Sequence, residues 1–185
     1  MQARTKRLVW RGGAGAIGVF AIAIAVLLML PAPKRADRYF VIDGDTISVR
    51  PGKCLLSRLR LRCLSERLRL FGVDAFERTQ TCRDAKGEAW ACGDVATQRL
   101  QTLVSTPGFG CQVDPEFVDR HAREFAVCTA KGEDVGAVLV SEGLAFAYGR
   151  RTRYVAIEEE AKAEHRGAWA GTFVRPQFYR SGARS

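Results

Sequence analysis

The sequence predicts an α+β domain on a small β-barrel, preceded by a helix long enough to cross a membrane. Three observations predict it. Strand-like stretches come first and are followed by a helix, a hairpin and two further helices. An uninterrupted uncharged run, Gly12 to Pro33, stands ahead of them. At 185 residues, the length suits one domain with an appendage. A composition that is 47% hydrophobic and 26% charged excludes a wholly disordered chain.

The appendage is residues 1–35. Its apolar core, about 12–33, matches the roughly 20 residues that span a hydrocarbon layer. Arg4, Lys6, Arg7 and Arg11 precede it, which predicts a cytoplasmic N-terminus and a body outside. The apolar core is longer than that of a cleaved signal, so an uncleaved single-pass anchor in the cytoplasmic membrane is expected, with secretion the outcome if it is cut. Of the net +9, six charges lie in this appendage and three in the body.

Residues 36–180 form the predicted domain, with 181–185 as a short basic tail. Tyr39–Ile42 and Thr46–Val49 flank the turn Asp43-Gly44-Asp45 and read as a hairpin. Arg58 to Arg62 and Arg67 to Phe71 then alternate leucine with arginine, so one face is apolar and the other basic. Residues 50–69 hold seven bases against Glu66 alone. A helix over 94–105 follows from Ala96, Leu100, Leu103 and Val104 on one face, ending before Pro107-Gly108. Residues 109–128 read as a second hairpin, about 133–143 as a helix stopped by Gly143, and about 153–167 as a third helix. The leading architecture for this order is an oligonucleotide-binding-type (OB-fold) barrel.

All six cysteines follow the anchor. In an oxidising compartment, disulfides between neighbours are expected: Cys54–Cys63, Cys82–Cys92 and Cys111–Cys128. The competing zinc site lacks any C-x-x-C pair, and His121 and His165 stand apart.

Asp45 follows a tight turn, Asp74 ends a strand and Glu77 lies three residues on. Carboxylates brought together repel one another unless a cation or arginine compensates, and all-oxygen donors select Ca²⁺ or Mg²⁺. Arg69 points away from the apolar face of the strand that leads to Asp74.

The pattern Val41-Ile42-Asp43-Gly44-Asp45-Thr46, then Arg69 to Glu77, then Asp119-x-x-x-Arg123, resembles the staphylococcal nuclease family. Leu139 to Ala145 and Glu164 to Gly171 extend the similarity over about residues 38–180. The resemblance implies a five-stranded OB-fold-type barrel with three helices, and Ca²⁺-dependent cleavage of DNA or RNA with low sequence specificity and 3′-phosphate products. It implies Asp45, Asp74 and the Ala75 backbone carbonyl as metal ligands, Glu77 as the residue acting on water, and Arg69 and Arg123 as phosphate-gripping groups. Tyr148 is a candidate for stacking on a base, and Arg58, Arg60 and Arg62 for contacting phosphates from a basic flap. The partners implied are nucleic acid and, through the anchor, the membrane; no protein partner is implied. The alternative is an OB-fold module of the envelope that binds nucleic acid without cleaving it. Two positions depart from the family pattern. Phe76 stands where proline is common, which frees the backbone and predicts a less firmly aimed Glu77. His121-Ala122 replaces Tyr-Gly before Arg123, which predicts a looser Arg123.

Overall fold

The computed structural model describes residues 38–50, 55–57, 60–62, 66–119, 121, 123–149 and 152–182. The expected anchor at 12–33, the Cys54–Cys63 pair and Arg58 lie outside the described residues, as do the side chains of Arg60 and Arg62. Among the described residues no helix is long and apolar enough to cross a membrane.

The first hairpin joins β1 (Arg38–Asp43) to β2 (Thr46–Arg50). Alternation turns Tyr39 and Val41 inward and leaves Phe40 exposed beneath the Arg50 guanidinium, 5.0 Å from its ring centroid. A short pair, β3 (Leu55–Ser57) and β4 (Arg60–Arg62), forms a separate two-stranded ribbon. β5 (Glu66–Leu70) returns antiparallel to β2, burying Leu68 and Leu70. The second hairpin is β9 (Gly110–Val118) with β10 (Glu124–Ala130), and β10 lies parallel to β5. With β11 (Glu133–Asp134), the order is β1-β2-β5-β10-β11, and β9 also pairs with β10. The sheet therefore has six strands among the described residues, one more than expected, because Glu133–Asp134 pair with β10 instead of opening a helix.

Three smaller elements complete the strands. β6 (Val73–Ala75) pairs with β12 (Ala145–Ala147), and β7 (Cys82–Arg83) with β8 (Ala89–Trp90). Helix α1 (Cys92–Val104) presents Ala96, Leu100 and Leu103 to the core, as its spacing predicts. Helix α2 (Val135–Ser141) starts later than expected because the Asp134 carboxylate caps the Ala137 N–H at 3.1 Å. It ends where Gly143 takes φ +67°, a left-handed value that glycine adopts freely. Helix α3 (Val155–Ala163) is shorter than expected, with a 3₁₀ turn at Gly167–Ala170 following it.

A fourth helix, α4 (Pro176–Arg180), follows the last element that the sequence predicts and closes the predicted domain. Pro176 at its first turn lacks the N–H that would be unsatisfied there, and fixes a helical φ. The core between sheet and helices contains Ile47, Leu68, Leu70, Leu100, Val135, Leu139 and Tyr154. Each fully buried leucine contributes about 1.5–3 kcal/mol. Cys82–Cys92 and Cys111–Cys128 are bonded as expected, and no described cysteine is free.

Candidate active site

One hydrogen-bonded chain of side chains runs from β9 to α4. Asp45 follows the first turn, where its N–H is accepted by the Asp43 carboxylate at 3.1 Å. Its own carboxylate accepts from the Thr46 hydroxyl at 2.9 Å, the Ala75 N–H at 3.2 Å and Arg69 Nη1 at 3.2 Å. Arg69 Nη2 lies 2.9 Å from Asp45 Oδ2 and 2.7 Å from Asp74 Oδ1. Asp45 and Asp74 therefore meet on a single guanidinium nitrogen, although 29 positions separate them in the chain. Sheet register accounts for this, since Thr46 lies opposite Arg69 across β2 and β5.

Asp45 and Asp74 are 4% and 2% exposed, and Arg69 is 9% exposed. Burial pushes the Asp45 carboxyl up to about 7; Arg69 pulls it down, Asp43 and Asp74 add to the rise, and the Thr46 hydroxyl opposes it. Burial works against the charge of Arg69, but Asp45 and Asp74 outweigh it and raise the guanidinium above its ordinary value.

Arg123 is aimed in spite of His121-Ala122. The Asp119 carboxylate accepts the backbone N–H groups of His121 at 2.8 Å and Arg123 at 3.0 Å, and Arg123 Nε at 2.7 Å. Arg123 Nη1 is left to donate to the Thr46 hydroxyl at 3.1 Å, which joins it to Asp45. The Asp119 carboxyl reflects these bonds. Burial raises it, but hydrogen bonds from Arg123 and His121, with the Arg123 charge, prevail and hold it down at about 2.

Glu77 is held by a loop that Phe76 fastens, contrary to the expectation from the lost proline. Phe76 is 1% exposed and meets Phe146 edge-on at 5.0 Å and Phe173 at 5.8 Å. Gln80, also buried, accepts the Glu77 N–H at 3.2 Å and donates to the Val174 carbonyl at 2.6 Å. Helix α1 closes on the same loop, where a Cβ on Gly93 would stand 1.7 Å from the Glu77 carbonyl oxygen. Only glycine admits that approach.

Sequence reasoning missed Thr46 as a bridge, Gln80 as a clamp and Arg180 altogether. Thr46 sits inside the recognised motif, so its register opposite Arg69 was the available signal. Arg180 has none, being 106 positions from Asp74 in an unpatterned stretch. Its Nη1 lies 2.7 Å from Glu77 Oε1 and 3.1 Å from Asp74 Oδ1, and its Nη2 3.1 Å from Asp74 Oδ2.

Asp45, Thr46, Arg69, Glu77, Arg123 and Arg180 line a cavity of about 750 Å³, and Asp74 lines a smaller one of about 250 Å³. The lining of the larger cavity combines the charged Asp45, Arg67, Arg69, Glu77, Arg123 and Arg180 with the apolar Ile42, Phe71 and Phe125. Tyr148, 46% exposed, stands at its rim. Among the described residues no three His, Cys, Asp or Glu side chains are grouped to hold a metal. The carboxylate donors at the point of convergence are Asp45 and Asp74, with the Ala75 backbone beside them. Asp45, Asp74 and Glu77 are joined there to Arg69 and Arg180, and Arg123 reaches the same network through Thr46.

Comparison with known proteins gives two results. The family described as "Staphylococcal nuclease homologue" matches residues 67–171. A relative from Rhizobium meliloti (strain 1021), named "Succinoglycan biosynthesis protein ExoI", is 28% identical over 168 residues, covering 86% of this chain and 79% of its own length.

Proposed function

Because the chain belongs to the staphylococcal nuclease family, we propose that it hydrolyses phosphodiester bonds of DNA or RNA, with Ca²⁺ as cofactor and low sequence specificity. The observation that carries this reading is the joining of Asp45, Asp74 and Glu77 to Arg69 and Arg123 in one network beside an open cavity. The donor set fits a hard cation, since two buried carboxylates and a backbone carbonyl offer only oxygen. Burial that pushes Asp45 up to about 7 is a cost that a divalent ion relieves.

In this mechanism Asp45, Asp74 and the Ala75 carbonyl would hold the cation, which would supply Lewis-acid charge at a phosphate oxygen. Glu77 lines the cavity and accepts the proton of the attacking water. Arg123, braced by Asp119, presents its guanidinium to the phosphate. Arg69 shares its fork between the acids and the same substrate oxygens, and both arginines bind more strongly as charge develops there. Lysine would not reproduce the fork. Tyr148 at the rim offers a face on which a base stacks. The two bonded cysteine pairs support an oxidising compartment, hence a body outside the cytoplasm on an N-terminal anchor.

One observation favours a second reading, a module that binds without cleaving: each of the three acids is already ion-paired to arginine. The purified protein incubated with DNA and with RNA, in Ca²⁺ or in chelator, separates the two. Chelator is expected to abolish cleavage, and Glu77→Gln to slow it about 10²–10⁴-fold while binding persists. Cleavage unaffected by chelator overturns the cofactor assignment, and binding without cleavage in Ca²⁺ establishes the module.

A further inference from the structure

Arg180 differs from the other members of the network in how it is carried and how freely it can leave. It sits on α4, outside the sheet, and its side chain is 37% exposed, whereas that of Arg69 is 10% exposed. The helix is docked and does not simply trail. Pro176 is buried, Arg175 meets the Glu158 carboxylate at 2.9 Å, and Gln80 holds Val174 just before it. Docked in this way, α4 delivers a guanidinium to both oxygens of Asp74 and one of Glu77.

Asp74 thus has two cationic partners, one enclosed and one able to withdraw into solvent. A divalent ion approaching Asp74 meets oxygens that Arg180 already engages, and its charge repels the guanidinium. Arg180 in turn offsets the cost of holding Asp74 and Glu77 together without the ion.

We propose that Arg180 is an internal counter-cation of the acid cluster: it occupies Asp74 and Glu77 in the ion-free protein, competes with the divalent ion, and so sets the affinity for it. The inference rests on reading Asp74 as a ligand of that ion. It assigns to α4 a function in tuning the cation requirement, which no feature of the motif carries.

Calorimetric titration of the full-length protein with Ca²⁺ alone tests it, with a nuclease assay of the wild type run in parallel. Arg180→Gln is expected to bind Ca²⁺ about tenfold or more tightly than wild type. Its melting temperature should fall in chelator and recover at saturating Ca²⁺. Arg99→Gln, which removes an equal charge from the Arg99–Glu142 pair, should leave Ca²⁺ affinity unchanged. If wild type binds Ca²⁺ and cleaves but Arg180→Gln binds no more tightly, the counter-cation assignment is wrong and the function stands. If neither protein binds Ca²⁺, both fall. Should Arg180→Gln not fold, Arg180→Lys replaces it: an ammonium cannot span both oxygens of Asp74, so affinity should still rise, and an unchanged value overturns the proposal.

Discussion

At Asp45, burial and charge pull in opposite directions, and burial wins. The carboxyl titrates near 7 in the folded chain against 3.8 as its ordinary value. Between those limits the native state holds the extra proton, so without cation stability falls as pH rises from about 4 to about 7, then levels. Denaturation in chelator across that range should show the decline in wild type, on the order of a few kcal/mol, and its loss in Asp45→Asn; parallel profiles would contradict it. Phe76 gives a second test. Its ring is wholly buried among Phe146 and Phe173, so Phe76→Ala should cost about 3–5 kcal/mol in urea unfolding. The acids and Arg69 were legible in the sequence because Asp45 and Asp74 stand at a turn and a strand end, Arg69 alternates with leucines, and their joint spacing resembles the staphylococcal nuclease family. The consequence of Phe76 was not, because its partners lie about 70 and 97 positions away and only tertiary packing brings them in.

Among the elements, the segment 76–80 shows how the loop that carries Glu77 is aimed by its surroundings. Phe76 fixes one end and Gln80 the other, while the start of α1, bonded through Cys82–Cys92, presses on the middle. Gly93→Ala inserts a methyl group where the Glu77 carbonyl stands and must displace that loop. On the proposed function, turnover should fall sharply while Ca²⁺ affinity, assigned to Asp45 and Asp74, changes little; an equal loss of both would show that the loop and the ligands move as one. Helix α1 was legible because its apolar spacing repeats for three turns, as was the second hairpin from its run of Val and Phe. Helix α4 was not: at five residues it holds too little periodicity to register, and its one local signal is Pro176 at the first turn.

For the molecule as a whole, the proposed cation would bind the folded chain and not the unfolded one, and is expected to raise thermal stability by mass action. At a hundredfold excess over Kd the gain is about 2.7 kcal/mol, which for a domain of this size is roughly 5–10 °C. Scanning the protein in Ca²⁺ against chelator checks it, and an unmoved transition would remove Ca²⁺ from the mechanism. The barrel-type order of strands and two cysteine pairs were readable in the chain. The parallel match of β5 to β10 was not, since such a register depends on contacts more than fifty residues apart. That closure has a consequence during biosynthesis. Arg180 leaves the ribosome 106 residues after Asp74, so a growing chain carries the aspartates long before α4 exists to neutralise them. Until then Arg69 is the one of the two arginines on Asp74 that has emerged, and the second pairing forms only when nearly the whole domain has been made.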